Sequence, residues 1–202
     1  MINPLRSPFS HSLLSHAVLY YVMGASGAGK DSLLRFVRQR STHAPVMFAH
    51  RYITRPAEAG GEDHVAVSVP TFERLRDNGA FALHWSANGL HYGVGIEVEH
   101  WLAAGLDVVL NGSREHLPQA SARFARLQPI LIEVSPERLG ERLRARGRES
   151  EPEVRARIER AHRLPPPAHP RLKVIRNDEQ LEAAGETLLD VITRRSGVIR
   201  EP

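Results

Sequence analysis

A chain of 202 residues, 42% of them hydrophobic, can bury one sizeable core, and its length fits one domain with insertions. It holds no cysteine, which excludes a disulfide framework and any thiolate metal centre and makes the cytoplasm the expected compartment. A net charge of +4 and a pI near 9.9 favour anionic ligands, and the longest apolar run, AVLYYVMGA, is far too short to span a bilayer.

In chain order, the first sixteen residues mix Pro, Ser and His without periodicity and read as a loose leader, leaving 17–198 as the expected domain. AVLYYVM then reads as a buried strand, and KDSLLRFVRQR as a helix with Leu33, Leu34 and Val37 on one face. A long piece, 44–94, has turns, aromatics and only a weak helical period, and is expected to be an inserted subdomain. GLDVVLNG and PILIEVS are further buried strands, each followed by a helix-like stretch. Nine arginines lie from Arg138 to Arg163, inside a second expected insertion, 136–167, that ends at the helix-breaking LPPPAHP. A short strand, RLKVIRN, and a closing helix, DEQLEAAGETLLDVITRR, complete the chain. Runs of Val, Ile and Leu alternating with helices imply an α/β fold, three layers around a parallel sheet.

The segment GASGAGK, Gly24 to Lys30, fits the spacing G-x-x-x-x-G-K and sits between a predicted strand and a predicted helix. Its glycines allow backbone amides to turn inward toward phosphate oxygens, and the helix start adds partial positive charge. Lys30 is placed to bridge the β- and γ-phosphates of a nucleoside triphosphate. The expected ATP site is therefore Gly24, Ala25, Ser26, Gly27, Ala28, Gly29 and Lys30, with Asp31 and Ser32 at the helix start. Asp31 stands where such loops carry a serine or threonine that binds Mg²⁺, and the strand DVVLN ends in Asn111 where an acid is usual. The negative charge has changed places, and Asp31 becomes the expected Mg²⁺ ligand, directly or through water. A helix-start acid favoured by the dipole is the other reading of Asp31.

GASGAGKDSLL, followed by HRYITRP, NGLHYGVG, LNGSREHLPQA, RARGRES and IRND, resembles the ribose 1,5-bisphosphate phosphokinases over roughly Val18 to Ile192. The resemblance implies a P-loop NTPase fold shared with guanylate kinases, with an acceptor-binding insertion and an arginine-rich lid. It also implies transfer of the γ-phosphoryl of ATP onto the 1-phosphate of a small sugar bisphosphate. By the same resemblance, Thr54, Arg55, His64, Tyr92 and Gly93 fall on acceptor-phosphate positions, and Arg142, Arg146 and Arg157 on lid arginines that act on the transferred phosphate. Glu149 falls on an aspartate of that lid, and IRND on a segment near the adenine. Asn177 or Asp178 could equally cap the closing helix. The sequence departs from guanylate kinases at Leu83, where those enzymes carry a glutamate that reads guanine, and in the loss of one arginine from RPAEAGGE. Arg51 is expected to supply that missing charge. For Arg51, Arg55 and His64 the alternative is an ordinary solvated loop.

Three other functions compete. A guanylate or other nucleoside monophosphate kinase is disfavoured by Leu83, and a guanylate-kinase-like phosphoprotein-binding module by the intact Lys30. A nucleic-acid reader would interleave aromatics with its cations, and the arginine segment has none. The sequence leaves oligomeric state open.

Overall fold

The structure, a computed structural model, describes residues 16–57, 64–147, 149–163 and 165–193. The expected leader lies outside them except for His16, as do the last residues of the 17–198 domain.

Two sheets share one core. The larger is all-parallel, in the order β2 (Val46–Phe48), β7 (Asp107–Asn111), β1 (Leu19–Gly24), β8 (Leu127–Glu133), β9 (Lys173–Arg176). β1 runs through its centre, which is why its residues are apolar on both faces. Tyr20 and Val22 face Leu33, Phe36 and Val37 of α1 (Lys30–Arg40) and Leu188 and Ile192 of α7 (Leu181–Thr193). Leu19, Tyr21 and Met23 face Val98 of α3 (Glu97–Ala103) and Leu117 and Ala120 of α4 (Leu117–Arg123). Helices therefore cover both faces, and the three-layer α/β fold expected from the sequence is the one observed.

The smaller sheet has the order β4 (Val65–Ala66), β3 (Arg51–Ile53), β6 (Leu90–Gly95), β5 (Phe81–Ala87), with α2 (Val69–Asp77) between β4 and β5. β6 pairs antiparallel with both neighbours. Ala82, Leu83, Trp85 and Val94 on its inner side join the cluster that covers Tyr21, so the insertion is fused to the main core.

The expected start of that insertion, residue 44, is corrected by the strand pairing. Val46, Met47 and Phe48 align in parallel with Asp107, Val108 and Val109, which makes them the edge strand of the main sheet, and the small sheet begins at Arg51. Val46–Phe48 is apolar but only three residues long and half-buried, too short a run to mark a strand of the main sheet by local pattern.

Residues 136–167 contain α5 (Pro136–Arg146) and α6 (Glu151–Arg163). Ser135 caps α5 by accepting from the Arg138 amide at 3.3 Å, and Gly147 ends it with φ 61°. Leu139 and Leu143 meet Val154 of α6 in a small cluster of their own.

Candidate active site

β1 delivers the chain to the loop, and two glycines shape its turn. Gly29 has φ 90°, and a Cβ there would come within 2.5 Å of the Asn177 amide nitrogen; Gly27 has φ 97°, and a Cβ would lie 2.8 Å from Leu139. Both positions combine a left-handed backbone with a close neighbour, so a side chain there is strained and glycine is favoured. α1 then starts at Lys30 without a capping side chain, leaving its first amides for an anion.

Cations converge on this loop. Lys30 Nζ donates to the carbonyls of Gly24 and Ala25, both at 2.9 Å. Arg142 of α5 donates to the Asn177 carbonyl at 2.7 Å and to the Ala28 carbonyl at 3.4 Å. Arg157 of α6 donates to Ser26 Oγ at 2.9 Å and ion-pairs with Glu149. Burial foremost, with Arg138 and Arg146 adding repulsion, lowers the Arg142 pKa; burial, then Arg146 and Arg160, does the same to Arg157. Arg146 is exposed, and its charge is felt at both. Arg142 and Arg157 thus meet the loop, still charged because guanidinium pKa values lie so high, with Arg146 near enough for its charge to act on both.

Asp31 and Asn111 meet. Asn111 Nδ2 donates to Asp31 Oδ1 at 3.0 Å, and Asn111 is buried at the end of β7. The exchange of acid and amide seen in the sequence is therefore one contact, with a carboxylate oxygen held at the helix start. Hard oxygen donors there fit Mg²⁺. Among the described residues no three acids or imidazoles cluster, so such an ion would take its other ligands from phosphate and water.

The small sheet supplies the facing wall. Trp85 and Tyr92 pair across β5 and β6 with rings 5.4 Å apart and 7° from parallel. The Arg51 guanidinium lies 5.0 Å from the Tyr92 ring centre and 5.9 Å from that of Trp85, and His116 stacks on Trp85 at 5.3 Å. Burial first, then His84, holds the His116 pKa below its usual value. His64 Nε2 donates to the Arg55 carbonyl at 3.1 Å and its Nδ1 lies 3.4 Å from Arg55 Nη2, so the imidazole holds Arg55 in place. Arg55 Nε is buried and meets no hydrogen-bond acceptor among the described residues.

Other expected residues do different work. Thr54 Oγ1 accepts from the His91 amide at 2.9 Å, continuing the β3–β6 ladder. Gly93 is needed because a Cβ would strike the Phe81 ring at 2.6 Å. Ser32 lies exposed on α1. Neither Asn177 nor Asp178 stands at the start of α7, which begins at Leu181. Asn177 Nδ2 donates to the Ala28 carbonyl at 2.8 Å, and Asp178 accepts from the Ser135 amide at 2.6 Å. Both tie the end of β9 to the loop and to α5.

His116 lies within LNGSREHLPQA and Tyr21 within the first strand, but no local pattern gives either a role. The Tyr21 hydroxyl donates to the Ser113 carbonyl at 3.0 Å and accepts from its amide at 2.9 Å, holding the loop after β7; burial pushes its pKa up to about 12. In sequence Tyr21 is one apolar residue of a core strand, and His116 lies outside any periodic element.

A phosphate loop ringed by lysine and arginines on a parallel sheet, opposite a cation-bearing inserted sheet, defines a P-loop kinase of the guanylate-kinase fold. The guanylate kinase family profile matches residues 17–195. The crystal structure of guanylate kinase from Anaplasma phagocytophilum superposes with a TM-score of 0.63 at 20% identity, covering 90% of this chain and 87% of that one. Among curated proteins, the ribose 1,5-bisphosphate phosphokinase PhnN of Thiobacillus denitrificans is 52% identical, covering 89% of this chain and 95% of its own. That of Psychromonas ingrahamii is 42% identical over 90% and 93%. The chain belongs to the guanylate kinase family and, within it, to the ribose 1,5-bisphosphate phosphokinases.

Proposed function

We propose that the chain transfers the γ-phosphoryl group of ATP to the 1-phosphate of α-D-ribose 1,5-bisphosphate, giving 5-phospho-α-D-ribosyl 1-diphosphate and ADP. One observation carries the choice of acceptor. Leu83, where a base-reading acid would stand, is buried in the core, and the wall beside it offers Arg51, Arg55 and stacked rings. A wall of that kind can hold phosphate, and a leucine at this position cannot accept from a guanine edge. The PhnN relatives carry this activity in their names.

The chemistry needs few parts. An oxygen of the acceptor phosphate attacks the γ-phosphorus, the bond from that phosphorus to the β–γ bridging oxygen breaks, and ADP leaves with the electron pair. A phosphate oxygen is already nucleophilic at neutral pH, so no general base is required. The barrier is repulsion between two polyanions, which positioned cations lower. Lys30 moves from the Gly24 and Ala25 carbonyls to the β- and γ-oxygens, while Arg142, Arg146 and Arg157 close over the phosphates from α5 and α6. Arg51 and Arg55, the latter braced by His64, hold the acceptor beside Tyr92. Mg²⁺, when bound near Asp31, supplies further neutralisation of the triphosphate.

Among the described residues no helix is long and apolar enough to cross a membrane, which agrees with a cytoplasmic enzyme of phosphonate breakdown supplying nucleotide and NAD precursors. The test is to incubate the protein with Mg·ATP and, separately, ribose 1,5-bisphosphate, GMP, AMP and ribose 5-phosphate. ADP release with the bisphosphate, and a product that serves as a phosphoribosyl donor, are expected. Release with GMP alone would overturn the assignment.

A further inference from the structure

A bisphosphate acceptor presents two dianions, and only one of them reacts. A cavity of about 310 Å³ opens between α1 and the segment joining β2 to β3, and its wall is strongly basic. Arg35, Arg38, His50 and Arg51 line it against one carboxylate, Asp31. Asp31, Arg35 and Arg38 succeed one another at spacings of four and three residues, so a single face of α1 is turned into it. Arg40, two residues on, turns the other way: it lies over Phe36 at 3.7 Å and pairs with Glu186 of α7.

The wall is also ordered. Arg38 sits 5.4 Å over the Phe48 ring, and its Nη2 is 3.5 Å from His50 Nε2. Phe48 and His50 come from the edge strand and from the residues entering the small sheet, so both layers fix this guanidinium. Arg51 lines the same cavity and at the same time faces Tyr92. Asp31, which also lines it, follows Lys30 at the start of α1. The cavity therefore reaches from the first turn of α1, beside the phosphate loop, along its second and third turns.

We infer that Arg35 and Arg38, with His50, form an anion subsite that holds the non-reacting phosphate of the sugar bisphosphate acceptor. The inference rests on the acceptor assigned above. It makes α1 serve both substrates: its first turn faces the triphosphate, and its second and third turns face the far end of the acceptor. A forked guanidinium on a rigid helix grips a terminal phosphate and also measures its distance from the reacting one. Acceptors with one phosphate lack that grip.

Two measurements on the full chain test this. The first compares kcat/KM for ribose 1,5-bisphosphate and for ribose 1-phosphate in wild type and in R35Q/R38Q. Loss of two charge-assisted contacts should lower the bisphosphate value about 100-fold, raise KM for the acceptor and leave KM for ATP in place. The advantage of bisphosphate over monophosphate should shrink by a similar factor. Equal losses for both acceptors, or no loss, would overturn the subsite. The second titrates ribose 5-phosphate calorimetrically into both proteins, whose unchanged melting curves report folding. Binding that weakens in the variant supports the subsite and binding that is unaffected removes it, even if wild type fails to turn over the bisphosphate. That failure would strike the proposed function separately.

Discussion

At the end of β1 the site is shaped by backbone, whereas on the small sheet it is shaped by side chains leaning on one another. Gly27 and Gly29 take φ values of 97° and 90°, α1 starts uncapped, and the arginines that approach rest on loop carbonyls and Ser26. Across the cleft, Arg51 lies over Tyr92, Tyr92 on Trp85 and Trp85 under His116, a stack of four side chains from separate segments. The lesson is about what each half recognises. A backbone cradle suits the invariant part of a nucleotide, its phosphates, while a stack of side chains can be rebuilt for another acceptor without disturbing the loop.

The sharpest test of that division is Lys30→Met. It should cut kcat about 1,000-fold, measured as ADP release, and leave the melting temperature nearly unchanged, because Lys30 contributes charge to the loop and little to its packing. Next comes a matched pair, Gly29→Ala and Gly93→Ala, each pushing a methyl into a close neighbour and each costing about 2–3 kcal/mol in a denaturant melt. Gly29→Ala should abolish ATP binding; Gly93→Ala should spare it and raise the acceptor KM about tenfold. Equal loss of both ligands in both variants would show the two halves to be one unit.

A smaller effect is expected of Asp31→Asn. With the carboxylate gone, the Mg²⁺ concentration giving half-maximal rate should rise about tenfold, and an unchanged titration would remove Asp31 from the metal's surroundings. The smallest effect concerns His116. Its folded pKa is depressed by burial, so below about pH 6.5 the unfolded chain takes up the proton first and stability falls as pH falls. The loss should be small, because solvent screens a partly exposed imidazole. His116→Phe should flatten the slope of melting temperature between about pH 5 and 7, and an identical slope would show that another group titrates there.

The same contrast explains what the sequence discloses. The loop, α1 and the central strands each announce themselves locally, through glycine spacing, helical period or an apolar run, and all stand where those patterns place them. β2 stays hidden because its apolar run, Val46–Phe48, is only three residues long, and its membership of the main sheet exists only through pairing with β7. The stack of Arg51, Tyr92, Trp85 and His116 is half legible. Resemblance points to Arg51 and Tyr92, but the register that sets Trp85 on Tyr92 and the fold of the loop that brings His116 are long-range facts. Asp31 and Asn111 can be paired by reasoning about charge, 80 positions apart, because both sit at fixed places relative to the loop.

Lys30, Arg142 and Arg157 already rest on oxygens of the loop: two carbonyls, a third carbonyl and a hydroxyl. The cradle is thus latched by its own neighbouring cations. Anything that enters must displace those oxygens, and a weakly charged ion offers too little in exchange for several contacts at once. A group with several charged oxygens can replace them all, so a latch of this kind favours highly charged anions before shape is consulted.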